Sequence, residues 1–231
     1  MLNIANLSVA YGETLILRDV TIEVRPGEVT CLMGRNGVGK TTLLKSIMGL
    51  LHPRHGRIIF DGKDITNATP DQRARLGLGY VPQGREIFPQ LTVLENLQVG
   101  LMANRRRIRQ VPPVIYEYFP QLKELQTRKG GFLSGGQQQQ LAIARVLVAE
   151  PRIVILDEPT EGIQPNVITL IGQVLKNLKK SGQFAVLLVE QYLEFALTLA
   201  DHYYVMEKGA IVLQGRASEL DKEAVKPYLA F

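Results

Sequence analysis

The run Gly34-Arg35-Asn36-Gly37-Val38-Gly39-Lys40-Thr41 places glycines, a lysine and a hydroxyl at the spacing G-x-x-x-x-G-K-[ST]. The chemistry open to such a run is to hold a polyphosphate. Glycines let the backbone curl so that successive amides point inward at an anion. A helix starting at the end of the run adds partial positive charge. Lys40 can reach β- and γ-phosphates, Thr41 can offer its hydroxyl to Mg²⁺, and Thr42 joins the phosphate-contacting set. A glycine-rich turn that merely caps a helix is the bland alternative, and the complete motif between an apolar strand and a helix weighs against it.

A second element matches the first. Ile153-Val154-Ile155-Leu156-Asp157-Glu158 reads as a buried strand ending in two acids. Strand C-termini in open α/β sheets are where ligands bind. Asp157 is placed to complete a Mg²⁺ shell and Glu158 to polarise an attacking water. Alone, the pair would read as solvated acids; beside a phosphate loop it reads as chemistry. A third element, Leu133-Ser134-Gly135-Gly136-Gln137, opens a helix with a serine hydroxyl and two small residues, another anion site by the same mechanics. One chain rarely needs two such sites for one nucleotide. A dimer does, if each site is closed by the partner's second loop.

The elements that must position these residues show in the hydrophobic pattern. Val29 to Met33, Ile153 to Leu156 and Phe184 to Val189 are continuous apolar runs, the pattern of strands covered on both faces. Helical patterns follow at Lys40 to Leu50, Pro165 to Lys180 and Leu193 to Leu199. Strand alternating with helix predicts an α/β fold with a parallel sheet. Apolar residues alternate at Val20, Ile22 and Val24 and around Ile58 and Phe60, which predicts half-buried strands of an antiparallel layer. From about Thr92 to Ala149 the pattern is helical, broken at Pro112-Pro113 and Gly130-Gly131, and reads as an insertion between two core strands. The tail after Gly215 reads as a short helix.

Composition narrows the class. With 231 residues, the length predicts one domain, or one with an inserted subdomain. Hydrophobic residues at 45% and charged residues at 21% fit a soluble globular protein and exclude disorder, collagen-like repeats and coiled coil as the main plan. No apolar run approaches the roughly 18 residues of a membrane span, and the N-terminal residues lack the pattern of a signal peptide. The single cysteine, Cys31, rules out an internal disulfide and reads as a small core hydrophobe. The net charge of +5 is a modest excess. Its densest run, Arg105 to Arg107 with Arg109, has no interleaved aromatics for base stacking and predicts no nucleic-acid partner.

The order of motifs is specific. A phosphate loop, then Gln83 in Tyr80-Val81-Pro82-Gln83, then Leu-Ser-Gly-Gly-Gln at 133–137, then Asp157-Glu158 resembles the nucleotide-binding subunit of ABC transporters over nearly the whole chain. The resemblance implies a P-loop NTPase (ABC ATPase) core with an antiparallel β subdomain and an inserted α-helical subdomain at about 92–149, in one domain spanning 1–231. It implies ATP and Mg²⁺ as ligands and ATP hydrolysis coupled to transmembrane transport. In the family an aromatic at the place of Tyr11 stacks on adenine; a packed core aromatic is the other reading of Tyr11. Gln83 matches the glutamine that senses Mg²⁺ and γ-phosphate, so it falls in both the catalytic and the metal-binding sets, with Lys40 and Glu158 in the catalytic set and Thr41 and Asp157 in the metal set. Ser134, Gly135, Gly136 and Gln137 would face the γ-phosphate of the opposite subunit's ATP. The implied partners are a second ABC ATPase subunit (the same chain or a different one), transmembrane permease subunits and, indirectly, an extracytoplasmic substrate-binding protein. The implied location is peripheral, at the cytoplasmic face of the inner membrane. Ile87, Phe88 and Leu91 are either contacts for a permease helix or ordinary core.

Two departures stand out. After the third apolar run the family usually has a histidine touching the γ-phosphate; here Glu190-Gln191 stands, and Gln191 takes its catalytic place. An amide can donate a hydrogen bond but cannot carry the positive charge. The loop after Glu158 usually ends Ser-Ala-Leu-Asp and here reads Glu161-Gly162-Ile163-Gln164. Glu190-Gln191 and Pro159-Thr160-Glu161-Gly162-Ile163 together resemble importers of the branched-chain amino-acid type, which carry two different ATPase subunits. The stretches Gly34 to Lys40, Gln137 to Gln140 and Glu161 to Pro165 look most like the urea-transporter branch, so urea or short-chain amides are the expected cargo. A branched-chain amino-acid importer is the alternative. A non-transport ABC ATPase acting on nucleic acid or ribosomes is another, weakened because such proteins usually carry long coiled-coil insertions or two ATPase domains.

Overall fold

The three continuous apolar runs become the middle of one sheet. In the computed structural model, which describes residues 1–180, 182 and 184–229, they are β3 (Val29–Met33), β7 (Ile153–Asp157) and β8 (Ala185–Val189), each buried along its length. Side chains on a strand alternate between faces, and here both faces are covered. Cys31 and Met33 enter one core while Leu32 enters the other; Val154 and Leu156 oppose Ile153 and Ile155; Val186 and Leu188 oppose Leu187 and Val189. With β6 (Leu78–Val81), β9 (His202–Glu207) and β10 (Ala210–Arg216) the order is β10-β9-β3-β8-β7-β6. β9, β3, β8, β7 and β6 run parallel, and only the β10 edge is antiparallel.

The alternating segments form the second layer. β1 (Leu2–Tyr11), β2 (Thr14–Val24), β4 (His55–Phe60) and β5 (Lys63–Asp64) pair antiparallel in the order β2-β1-β4-β5. Val20, Ile22, Val24, Ile58 and Phe60 point into a core shared with Leu43, Leu44 and Ile47 of α1 (Lys40–Ile47) and one face of the larger sheet. Its opposite face is covered by α7 (Pro165–Lys180), α8 (Leu193–Leu199) and helices of the stretch between β6 and β7. That stretch follows α2 (Pro70–Leu76) and β6 and holds α3 (Val93–Leu101), α4 (Pro113–Tyr118), α5 (Pro120–Glu124), a 3-10 turn at Gly130–Phe132 and α6 (Gly135–Leu147). After β10 come two 3-10 turns flanking α9 (Lys222–Val225); Ala230 and Phe231 of the expected tail helix lie outside the described residues. Among the described residues no helix is long and apolar enough to cross a membrane. Cys31 is buried and free, and burial pushes its thiol far above the usual range.

Two boundaries differ from expectation. The third apolar run becomes strand from Ala185 rather than Phe184. α1 stops at Ile47 instead of continuing to Leu50, because Gly49 takes a left-handed φ of 77° and closes the helix with its amide on Ser46 O. The carbonyls freed there meet an unexpected partner. Arg73 of α2 has no exposed surface; Nη1 donates to Ser46 O and Ile47 O at 2.7 Å each, Nε to Ala68 O and Nη2 to Thr66 O. A buried cation at a helix C-terminus also answers the helix dipole. Arg73→Met strands these carbonyls, at about 1–3 kcal/mol for each one left unpaired. The expected loss is about 3–5 kcal/mol, seen in thermal unfolding as a Tm lower by roughly 10 °C. A shift under about 2 °C would mean that water replaces the guanidinium without penalty.

Candidate nucleotide site

Every candidate of the first two motifs lies at the C-terminal edge of the parallel strands. The loop 34–39 follows β3, Asp157 and Glu158 end β7, Gln191 follows β8 and Gln83 follows β6, on four strands adjacent in the sheet. The loop's path requires glycine at its ends. Gly34 has φ of 153° with a Cβ position 2.5 Å from Met206 O, and Gly39 has φ of 115° with a Cβ position 2.8 Å from Leu17 Cδ2. Val38 packs against the core, and Arg35 turns away so that Nη2 donates to Pro227 O at 3.1 Å. Arg35, like Gly34, therefore serves the loop through backbone.

Lys40 is 4% exposed. Its Nζ donates to Gly34 O at 2.7 Å and Arg35 O at 2.8 Å and pairs with Glu158 Oε1 at 3.3 Å. Thr41 Oγ1 donates to Asp157 Oδ2 at 3.1 Å, joined by the Tyr80 hydroxyl at 3.4 Å. Asp157 Oδ1 is buried without a hydrogen-bond partner. Burial, with the Glu158 charge adding to it, pushes this carboxyl above the usual range against the pull of the Thr41 and Tyr80 hydroxyls and Lys40. An orphaned carboxylate oxygen beside a threonine hydroxyl fits a hard divalent cation, which takes oxygen ligands. The residues present thus fit Mg²⁺.

Glu158 is gripped from three sides. Oε1 accepts from Gln191 Nε2 at 2.7 Å as well as pairing with Lys40, and Oε2 accepts from Gln83 Nε2 at 3.2 Å. Its backbone holds a left-handed φ of 48°, uncommon for a non-glycine residue and stabilised by its amide bonding Val189 O. Gln191 Nε2 also donates to Asn36 Oδ1 at 2.6 Å, and Gln83 Nε2 to Glu161 Oε2 at 2.9 Å. Above this cluster lies a cavity of about 370 Å³ lined by Tyr11, Ile16, Asn36, Gly37, Gly39, Lys40, Thr41, Thr42, Gln83 and Glu158. Tyr11 is 48% exposed on its rim, which removes the packed-core reading.

Ser134, Gly135, Gly136 and Gln137 are not among the residues lining that cavity. They start α6 elsewhere. Ser134 Oγ accepts from Gln137 N at 3.3 Å while Gln137 Oε1 accepts from Ser134 N, a reciprocal cap. A Cβ at Gly136 would meet Val167 Cγ2 at 2.8 Å, so α6 and α7 approach closely there. Ile87 packs on the core, Leu91 is half-buried, and Phe88 is 44% exposed under the Arg145 guanidinium, 5.0 Å from its ring centre. Ile87 and Phe88 border a second cavity of about 750 Å³.

Sequence reading passed over Tyr80, Glu161 and the side-chain role of Asn36. Tyr80 stood in the glutamine-loop motif without a task, and Glu161 only as a departure from a family pattern. Nothing in their spacing points to a bond with Asp157 or Gln83.

A phosphate loop between a parallel strand and its helix, with an acidic pair on a nearby strand, defines a P-loop nucleoside triphosphatase. The family described as "ABC transporter" matches residues 17–161. The high-affinity branched-chain amino acid transport ATP-binding protein BraG of Pseudomonas aeruginosa is 38% identical over 95% of this chain and 94% of its own. The probable branched-chain amino acid transport ATP-binding protein LivF of Archaeoglobus fulgidus is 36% identical with the same coverage. Among solved structures, the dimeric post-hydrolysis cassette MJ0796, bound to ADP and phosphate, superposes with a TM-score of 0.83 at 27% identity over 94% of this chain and 99% of that one. The chain belongs to the ABC transporter family. It is an ATP-binding subunit with the ABC ATPase fold, and ATP hydrolysis is its activity.

Proposed function

We propose that this chain powers an ABC importer of the branched-chain amino-acid type whose cargo is urea or a short-chain amide. The observation that carries the catalytic half is the Glu158 carboxylate, held between Lys40, Gln191 and Gln83 on the floor of the cavity. Tyr11 lies against the base. The amides of 34–39, Lys40, Thr41 and Thr42 take the phosphates. Thr41, Asp157 and Gln83 would hold Mg²⁺, which would supply positive charge against the negative charge of the phosphates. Glu158 orients the attacking water and receives its proton, and the Gln191 amide keeps that carboxylate aimed. Ser134 to Gln137, which do not line this chain's own cavity, close the site of a second ATPase subunit in a head-to-tail clamp. The helical stretch 92–149 acts as an inserted subdomain. The cavity bordered by Ile87 and Phe88 receives a helix of a transmembrane permease, which holds the chain at the cytoplasmic face of the membrane.

The cargo rests on Gly34 to Lys40, Gln137 to Gln140 and Glu161 to Pro165, whose texture resembles the urea branch. A second reading, branched-chain amino-acid import, is favoured by the names of BraG and LivF. Uptake of labelled urea and labelled leucine, side by side in source cells with and without this gene, separates the two. Loss of urea uptake alone is the expected result. Loss of leucine uptake alone would replace the cargo and leave the ATPase reading in place. Loss of neither would reject both cargoes.

A further inference from the structure

Next to the site sits a buried acid to which the chemistry above gives no task. Glu190 is 2% exposed, yet four neutral donors converge on its carboxylate. Oε1 accepts from Thr160 Oγ1 at 2.8 Å and Thr160 N at 3.2 Å. Oε2 accepts from Gln191 N at 3.1 Å and Tyr192 N at 3.3 Å. A carboxylate offers about four lone-pair positions, so this one is filled. Burying a charge is tolerated only with such compensation. The saturated carboxylate therefore ties two loops together, the one after β7 and the one after β8.

Those two loops carry the pair whose contact matters most. Glu158 lies two positions before Thr160, Gln191 directly after Glu190, and their side chains meet at 2.7 Å. A histidine cation in place of Gln191 would be attracted to Glu158 across a range of orientations. A neutral amide contributes only when its N–H points at the acceptor, because a hydrogen bond weakens steeply with angle. An uncharged residue at 191 needs firmer backbone support.

We propose that Glu190 is a positioning residue for hydrolysis: it clasps Thr160 to the Gln191–Tyr192 backbone, and the clasp aims the Gln191 amide at Glu158. The proposal rests on the reading that Glu158 and Gln191 act in hydrolysis, and the test separates the two. Single-turnover hydrolysis of MgATP and affinity for a fluorescent ATP analogue are measured on the full chain in its assembled transporter. The variants are Glu190→Gln, Thr160→Val, Thr160→Ser, Gln191→Ala and the double variant Thr160→Val/Gln191→Ala. Glu190→Gln keeps shape but turns one acceptor into a donor facing N–H groups. Thr160→Val replaces the hydroxyl with a methyl of similar size and covers the case that Glu190→Gln does not fold.

Thr160→Val is expected to slow hydrolysis about tenfold, short of the roughly 10²-fold that a 1 Å misplacement can cost. Its nucleotide affinity should stay within about twofold, since the phosphate loop is untouched. Thr160→Ser, which keeps the hydroxyl, should hydrolyse at the native rate. The double variant should be no slower than Gln191→Ala alone, because the clasp acts through Gln191. Multiplicative slowing in the double variant, or equal rates for Thr160→Val and Thr160→Ser, would overturn the proposal alone. A native rate in Gln191→Ala would overturn the reading beneath it and the proposal with it.

Discussion

Glu158→Gln is expected to bind MgATP as the native chain does and to hydrolyse it about 10²–10⁴-fold more slowly, the span assigned to a positioned general base. Phosphoryl transfer asks little covalent chemistry of the protein, so the effect comes from losing an aimed negative charge at the attacking water. Gln preserves the volume and leaves the loop amides, Thr41 and Asp157 in place. It also brings an amide donor toward the donors Gln191 Nε2 and Gln83 Nε2, which now bond the two carboxylate oxygens. Affinity should not fall, because Lys40 loses its 3.3 Å ion pair and keeps its charge for phosphate. The measurement is steady-state phosphate release beside equilibrium binding of MgATP on the same preparation. Turnover within about threefold of native would take the base role from Glu158.

Lys40→Ala is the second large effect, and it falls on binding. The ammonium is nearly buried and tied to the carbonyls of Gly34 and Arg35 and to Glu158. Removing it deletes a charged donor to the phosphates, and hydrogen bonds to charged groups are worth about 1.5–3 kcal/mol each. It also leaves Glu158 without its counter-ion at the place where phosphate negative charge must arrive. The expected outcome is nucleotide affinity about 10–100-fold weaker, read by titrating a fluorescent ATP analogue. Lys40→Arg should not restore it, since the two carbonyls accept a compact ammonium where a planar fork would have to fit. Unchanged affinity in Lys40→Ala would refute the cradle.

Much of the site is local in origin, which is why it can be read along the chain. The phosphate loop is a single stretch whose glycines, Lys40 and Thr41 act through backbone geometry set within that stretch. The apolar runs at 29–33 and 153–156 name their strands because a strand buried on both faces must be apolar at every position. The apolar pattern to Leu50 runs three residues past the end of α1 at Ile47, since Gly49 stops the helix. Arg73 and its helix α2 have no place among the patterns read from the sequence. Its burial depends on the meeting of α2 with the end of α1, which no local pattern records.

What the linear order determined was the set of chemical groups and the strand or loop that bears each one, because those follow from residue type, period and motif spacing. The tertiary structure alone decided which groups meet. Parallel pairing of β3, β8, β7 and β6 brings Lys40, Gln191, Glu158 and Gln83 to one edge of the sheet, although long helical crossovers separate them in the chain. The same pairing sets Glu190 on Thr160 and Tyr80 on Asp157, and the Ser134 loop is not part of the cavity lining. Contacts between side chains depend on distances of a few tenths of an ångström across strands, and those are fixed by sheet register and packing.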